Sequence, residues 1–268
     1  MTTFLSLSPL LQSFLLILLI QVSFAVFALS FRTDKLTDLS YGLTFIANTI
    51  FFYLLLPSFS LPLFLILLAV SLWGLRLSLF LFIRILSIKQ DKRFDSIRTQ
   101  PLKFASFWLL QTVTIFTVSL PVTLLFSLPH QPSLSTPSLI ALLLWLTGFL
   151  IETIADQQKY HFKKQSENKN KWISHGLWRY SQHPNYFGEI LSWWSIFFFA
   201  SFYLPLPQIF LSLLSPIYIT SLIIFFSGIP PLQKKYKKKY AKNKTYQRYH
   251  QKTSLLIPLP PKKTNPQS

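Results

Sequence analysis

Residues 179–189 read RYSQHPNYFGE, which puts a guanidinium, two phenols, a hydroxyl, an imidazole, two amides and a carboxylate within eleven residues. An imidazole or carboxylate can move protons, amides and phenols can orient a ligand, and a guanidinium can hold a phosphate. The cluster runs directly into ILSWWSIFFFA, a segment suited to lipid. Upstream, Glu152 and Asp156 are four residues apart and so share a helix face, which Tyr160 and Lys163 continue. Asn185 and Glu189 are also four apart, with Trp193 one turn further on. Two such stripes entering from one side would line one cavity, and Arg76 and Arg84, about two turns apart, would bring positive charge to it.

A charge at the centre of a membrane helix costs roughly 2.5–3.5 kcal/mol, so Arg76, Arg84, Glu152, Asp156 and Glu189 demand an explanation. Taken singly, each has a plainer reading as one half of an ion pair holding helices together. Trp178, Tyr180, Tyr186, Trp193 and Trp194 likewise read as an interfacial aromatic belt. Taken as a set gathered at one end of the spans, they point to a site. Pro184 suits the first turn of a helix, where its missing N–H costs nothing. The N–H groups of Asn185, Tyr186 and Phe187 then point outward with the positive end of the helix dipole behind them, a natural anion site. Gly188 lets a ligand or a neighbouring helix approach closely. Arg179, His183 and the Lys-rich flank are expected to add positive charge there.

The elements that must position these groups are membrane helices. Half of the chain is apolar (51%), 13% is charged, and the formal net charge is +18. Apolar runs near the roughly 20 residues that cross a bilayer predict seven spans, about 9–31, 38–56, 61–84, 104–126, 138–156, 187–204 and 208–228. No alternating ten-residue pattern of a barrel is present, so the fold class is all-α, a polytopic membrane protein. Lys and Arg number two in 32–37, five in 85–103, six in 157–186 and eleven in 229–268, while the intervening connections and the N-terminus carry no charged side chain. That alternation places the N-terminus outside and the C-terminus in the cytoplasm. The first run lacks a basic flank and is longer than a signal-peptide core, so it is expected to be retained. The absence of cysteine excludes disulfides, thiolate metal sites and a cysteine nucleophile. No metal site is expected. The tail, QKKYKKKYAKNKTYQRYHQK, is expected to lie against anionic lipid head groups and not nucleic acid.

GLWRYSQHPNYFGEILSWW resembles the signature of bacterial and plant membrane proteins of unknown function that share the steroid 5α-reductase C-terminal fold. SLWGLRL (71–77), DKRFDSIR (91–98), LLQ (109–111), IETIADQQKYHF (151–162), SGIPPL (227–232) and YHQKTSLLIPLPP (249–261) follow in the expected order. The resemblance divides the chain into an N-terminal helix and basic loop (1–37), the reductase-like membrane domain (38–261) and a disordered tail (262–268). It implies a seven-helix integral membrane reductase, in a bacterial plasma membrane or an organellar or endoplasmic reticulum membrane. Such an enzyme uses NADPH to reduce a carbon–carbon double bond in a steroid, isoprenoid or other enone. Transferred to matching positions, the cofactor-binding residues are Glu152, Asp156, Lys163, Arg179, Tyr180, His183, Asn185, Tyr186, Glu189, Tyr249 and Lys252. Asn185 and Glu189 fall at the nicotinamide-ribose end, and Lys163, Arg179 and the tail at the phosphates.

Catalytic candidates are Glu189, Tyr41 and Tyr53, the tyrosines standing in for substrate-polarising groups of the N-terminal spans. Two departures stand out: Gln182 replaces an arginine, and Gln233 replaces a glutamate after SGIPPL. Membrane methyltransferases of the isoprenylcysteine carboxyl type share the HP-x-Y-x-G helix and imply S-adenosylmethionine instead. A non-catalytic lipid-binding protein is the third reading.

Overall fold

The computed structural model describes residues 2–31, 33, 36–88 and 100–262. DKRFDSIR and residues 263–268 of the expected disordered tail lie outside them. The described residues form helices α1 (Thr2–Leu5), α2 (Pro9–Ser30), α3 (Thr37–Leu54), α4 (Leu61–Ile88), α5 (Pro101–Phe126), α6 (Thr136–Lys164), α7 (Pro184–Ser201), α8 (Leu206–Ser212), α9 (Leu214–Ser221), α10 (Ile229–Lys239) and α11 (Lys244–Lys252). Among them there is no strand, only an isolated parallel bridge between Ser181 and Ser254.

Five stretches are long and apolar enough to cross a membrane: Pro9–Ser30, Leu61–Ile85, Leu102–Phe126, Thr136–Lys164 and Leu206–Lys239. The expected spans at 38–56 and 187–204 are helices of 18 residues each, α3 and α7, but polar residues dilute their apolar character. Leu19, Val26, Leu79, Ile83 and Leu143 all point outward from the long helices, as a lipid-facing surface requires. The last apolar stretch is not one straight helix. Pro216 withholds the N–H that the Ser212 carbonyl would need and crowds that carbonyl, so the chain divides into α8 and α9, then a π-helical turn at Leu222–Phe226.

The chain separates into two units, residues 1–139 with 196–218, and residues 140–195 with 219–268. In the first, α3 and α4 touch at Gly42 and Gly74, where a Cβ on Gly42 would collide with the Gly74 carbonyl and the Ser78 hydroxyl. Small residues permit such close backbone approach in lipid. Arg84 reaches Asp38 of α3 at 3.7 Å. Pro121 lies inside α5. It leaves the Thr117 carbonyl without its helical donor, and Ser215 of α9 donates to the adjacent Val118 carbonyl at 2.8 Å.

A buried polar network also runs through this unit. The Gln111 amide of α5 donates to Gln21 Oε1 at 3.0 Å, the Thr37 carbonyl at 3.1 Å and Ser40 Oγ at 3.0 Å. Gln21 donates in turn to Thr44 at 2.7 Å. With its acceptors this well satisfied, the network serves to hold α2, α3 and α5 together. Gln111→Leu keeps the volume and strands those acceptors. It is expected to lower stability by about 1–2 kcal/mol, seen as a melting temperature about 3–6 °C lower in detergent.

Candidate functional site

The second unit holds both polar stripes. Helix α6 runs unbroken through Glu152, Asp156 and Lys163, and ends on His161, Lys163 and Lys164, cations that suit the negative end of its dipole. Glu152 is 2% exposed. The 3₁₀ turn Gly176–Arg179 docks against this helix. Gly176 has φ +59, and a Cβ there would strike the Gln158 amide, whose Oε1 accepts the Leu177 N–H at 3.0 Å. Trp178 donates its indole N–H to the Ala155 carbonyl at 3.0 Å, with the Lys159 ammonium 4.5 Å from its ring centre.

Helix α7 begins at Pro184, as its missing N–H favours. The Phe187 N–H is not available to an anion as expected, because it donates to the His183 carbonyl at 3.1 Å. The expected anion site at this helix start therefore loses one of its three N–H groups. The two helices meet at Gly148 and Gly188. A Cβ on Gly148 would stand 2.7 Å from the Gly188 carbonyl, and one on Gly188 would stand 2.6 Å from the Glu152 amide nitrogen. That contact puts the stripes face to face, so that Asn185 donates to Asp156 Oδ1 at 3.1 Å. Asn185 Oδ1 is buried and has no partner among the described residues.

The tail returns to this helix start. Gln182 donates its N–H to the Ser254 carbonyl at 2.8 Å, and its amide to the carbonyls of His250 at 3.0 Å and Thr253 at 2.8 Å. Ser181 donates to the Leu256 carbonyl at 2.6 Å and accepts the His183 N–H at 3.0 Å. Tyr249 donates to the Trp178 carbonyl at 2.8 Å. Burial, reinforced by Tyr246 and Tyr236, raises the Tyr249 phenol well above its ordinary range, and burial and Tyr240 raise Tyr246. Both stay protonated at neutral pH, and Tyr249 serves as a donor.

His183 is 3% exposed and stacks on Tyr186 with ring centres 5.4 Å apart. Burial first, then the charges of Lys159 and His250, lower its pKa to about 3. It is neutral and adds no positive charge, against the expectation from sequence. Among the described residues its Nδ1 has no hydrogen-bond partner. It lines a cavity of about 30 Å³ shared with Trp172, Gln233, Tyr236, Tyr246 and Tyr249, a space on the scale of a water molecule. Beside it, an open cleft of about 490 Å³ is lined by Gln182, Gln233, His250, Lys252, Leu255, Leu259 and Lys262 among others.

A family model described as a protein of unknown function (DUF1295) matches residues 24–253. The chain belongs to the DUF1295 family. That family is the steroid 5α-reductase-like group. No curated protein and no solved structure matches the chain. The DUF1295 region begins inside α2 and closes just beyond α11, so it takes in both stripes and both tail helices.

Within this DUF1295 unit, Asp156 and Asn185 are joined directly, Glu152 lies against Gly188, and His183 stacks on Tyr186. Glu189 is half-buried one turn inward of Asn185. Lys163, Arg179 and Tyr180 are exposed, and Lys252 is half-buried at the open cleft. Tyr41 and Tyr53 belong to the first unit, where Tyr41 packs on Phe45 and Trp73, and Tyr53 on Phe64 and Phe126. Arg76 and Arg84 belong there as well. Sequence reasoning missed Gln158, Ser181 and the clasp role of Gln182. The replacement of arginine at 182 was the one signal available: the shorter, neutral amide donates to two backbone carbonyls, those of His250 and Thr253, without placing a charge there.

Proposed function

We propose that the protein is a membrane-embedded reductase that uses NADPH to reduce a carbon–carbon double bond of a lipid-like substrate, such as a steroid, isoprenoid or other enone. In this reading seven helices cross the bilayer, with the N-terminus outside and the C-terminus cytoplasmic, as the alternation of Lys and Arg supports. The observation that carries the proposal is the Asp156–Asn185 hydrogen bond across the α6–α7 contact, which leaves Asn185 Oδ1 as a buried acceptor. A carboxamide N–H or ribose hydroxyl of a nicotinamide nucleoside suits that acceptor, and Arg179 and Lys163 suit its phosphates. When bound, NADPH supplies the hydride. Asn185 orients the nucleoside end, and Asp156 holds the Asn185 amide in place. Glu189, one turn inward, holds the proton that the reduced double bond needs.

The gathering of Glu152, Asp156 and Glu189 also suits a sulfonium cation, which keeps an S-adenosylmethionine-dependent methyltransferase as the second reading. Thermal melting of the full-length protein in detergent with NADPH, NADH or S-adenosylmethionine separates the two. At 100 times its dissociation constant a ligand stabilises by about 2.7 kcal/mol, or roughly 5–10 °C for a chain of this size. NADPH is expected to produce that rise, and an Asn185→Ala, Glu189→Ala double variant to lose it. A rise with S-adenosylmethionine alone would favour the methyltransferase. No response from a folded sample would leave a non-catalytic lipid-binding protein.

A further inference from the structure

We propose that the segment after α11 is a docking edge for anionic phospholipid head groups at the membrane surface. Four hydrogen bonds pin it: Gln182 N–H to the Ser254 carbonyl, Ser181 Oγ to the Leu256 carbonyl, Leu259 N–H to the Tyr180 carbonyl, and Lys262 N–H to the Lys252 carbonyl. Leu255, Ile257 and Leu259 are 40%, 54% and 52% exposed. An apolar edge held this firmly yet left uncovered is unusual in water, where such patches mark interaction surfaces.

The chemistry around the edge names its occupant. From residue 229 to 262 the chain has no carboxylate side chain, and Lys252 and Lys262 line the open cleft that Leu255 and Leu259 border. Helix α11 buries Tyr246 and turns Lys244 and Arg248 outward. Apolar side chains ringed by cations match a surface that is apolar beneath and negative above. Position agrees, because the Tyr180 carbonyl that holds Leu259 lies four residues before Pro184, where the chain enters α7.

The chain has no cysteine, so Ile257→Cys in the full-length protein gives a unique thiol for an environment-sensitive fluorophore. Leu259→Cys is the second labelling site if the first does not fold. In vesicles of phosphatidylcholine containing phosphatidylglycerol, the label is expected to shift to the blue and be quenched by brominated acyl chains. Both effects should fall in phosphatidylcholine alone. Lys262→Gln is expected to lower the ratio of shielded to exposed label about fivefold, the worth of one cation near an anionic surface. A label wet in both vesicles overturns the proposal and favours an acidic protein partner, and equal shielding in both overturns the anionic head group. Shielding that depends on added NADPH and not on phosphatidylglycerol assigns the cleft to cofactor phosphates, which also overturns it.

Discussion

Gly188→Ala is expected to cost about 1–3 kcal/mol, and Gly188→Leu to abolish the folded α6–α7 pair. The alanine methyl would sit 2.6 Å from the Glu152 amide nitrogen and 2.8 Å from Glu152 Cβ. Both belong to the opposing helix, where no flexible side-chain end can swing aside. The helices must separate by a few tenths of an ångström or more, and tight packing makes that expensive. Separation also stretches the 3.1 Å Asn185–Asp156 hydrogen bond one turn away, so any nucleotide affinity should fall with stability. Gly148→Ala makes the reciprocal collision, with the Gly188 carbonyl and Ser192. A double Gly148→Ala, Gly188→Ala variant should cost well under the sum of the two, because helices already parted by one methyl accommodate the second more cheaply. Thermal melting of the two single variants and the double variant checks this, and additive losses would show that the glycines act separately.

Acidification through pH 6.5 is the second large perturbation. His183 has its pKa lowered to about 3 in the folded protein, against 6.5 for an ordinary histidine. Above pH 6.5 the imidazole is neutral in both states, and its contribution to stability is fully present. Between pH 6.5 and 3 the unfolded chain takes up a proton that the folded protein refuses, so stability falls by up to about 1.4 kcal/mol per pH unit. Below about pH 3 both states are protonated and the loss levels off, at roughly 3–5 kcal/mol in total. Lys159 and His250 oppose the same proton. Melting temperatures between pH 7.5 and 4 should show this fall, and His183→Gln, which has no proton to gain, should follow a visibly shallower line. Parallel lines for the two proteins would mean that carboxylates elsewhere set the acid sensitivity.

Much of the helical architecture was legible because lipid simplifies the code. A backbone in hydrocarbon must satisfy its own hydrogen bonds, so long apolar runs imply helices whatever their neighbours do. The fourfold spacings of Glu152 with Asp156 and of Asn185 with Glu189 were legible for the same reason, since helix geometry turns spacing into a shared face. Helix α3 shows where this fails. Its Thr37, Ser40, Thr44 and Asn48 look like dilution of a span, yet the first three form one wall of the buried network around Gln21 and Gln111, and Asn48 accepts from Ser13 of α2. Each partner sits on another helix at a rotation that local sequence does not encode.

The amino-acid sequence by itself determined that this chain makes apolar helices, that its cations alternate between connections, and that polar groups crowd the start of α7. These depend on composition and on spacing within one helix. Only the tertiary structure decided that Gly188 serves the opposing helix, that Asp156 holds Asn185, and that Arg84 meets Asp38. It also decided the charge of His183, since burial there depends on a tail anchored to Gln182 across 71 residues of chain. The protonation state of a side chain belongs to its surroundings, and those surroundings are assembled from segments far apart in sequence.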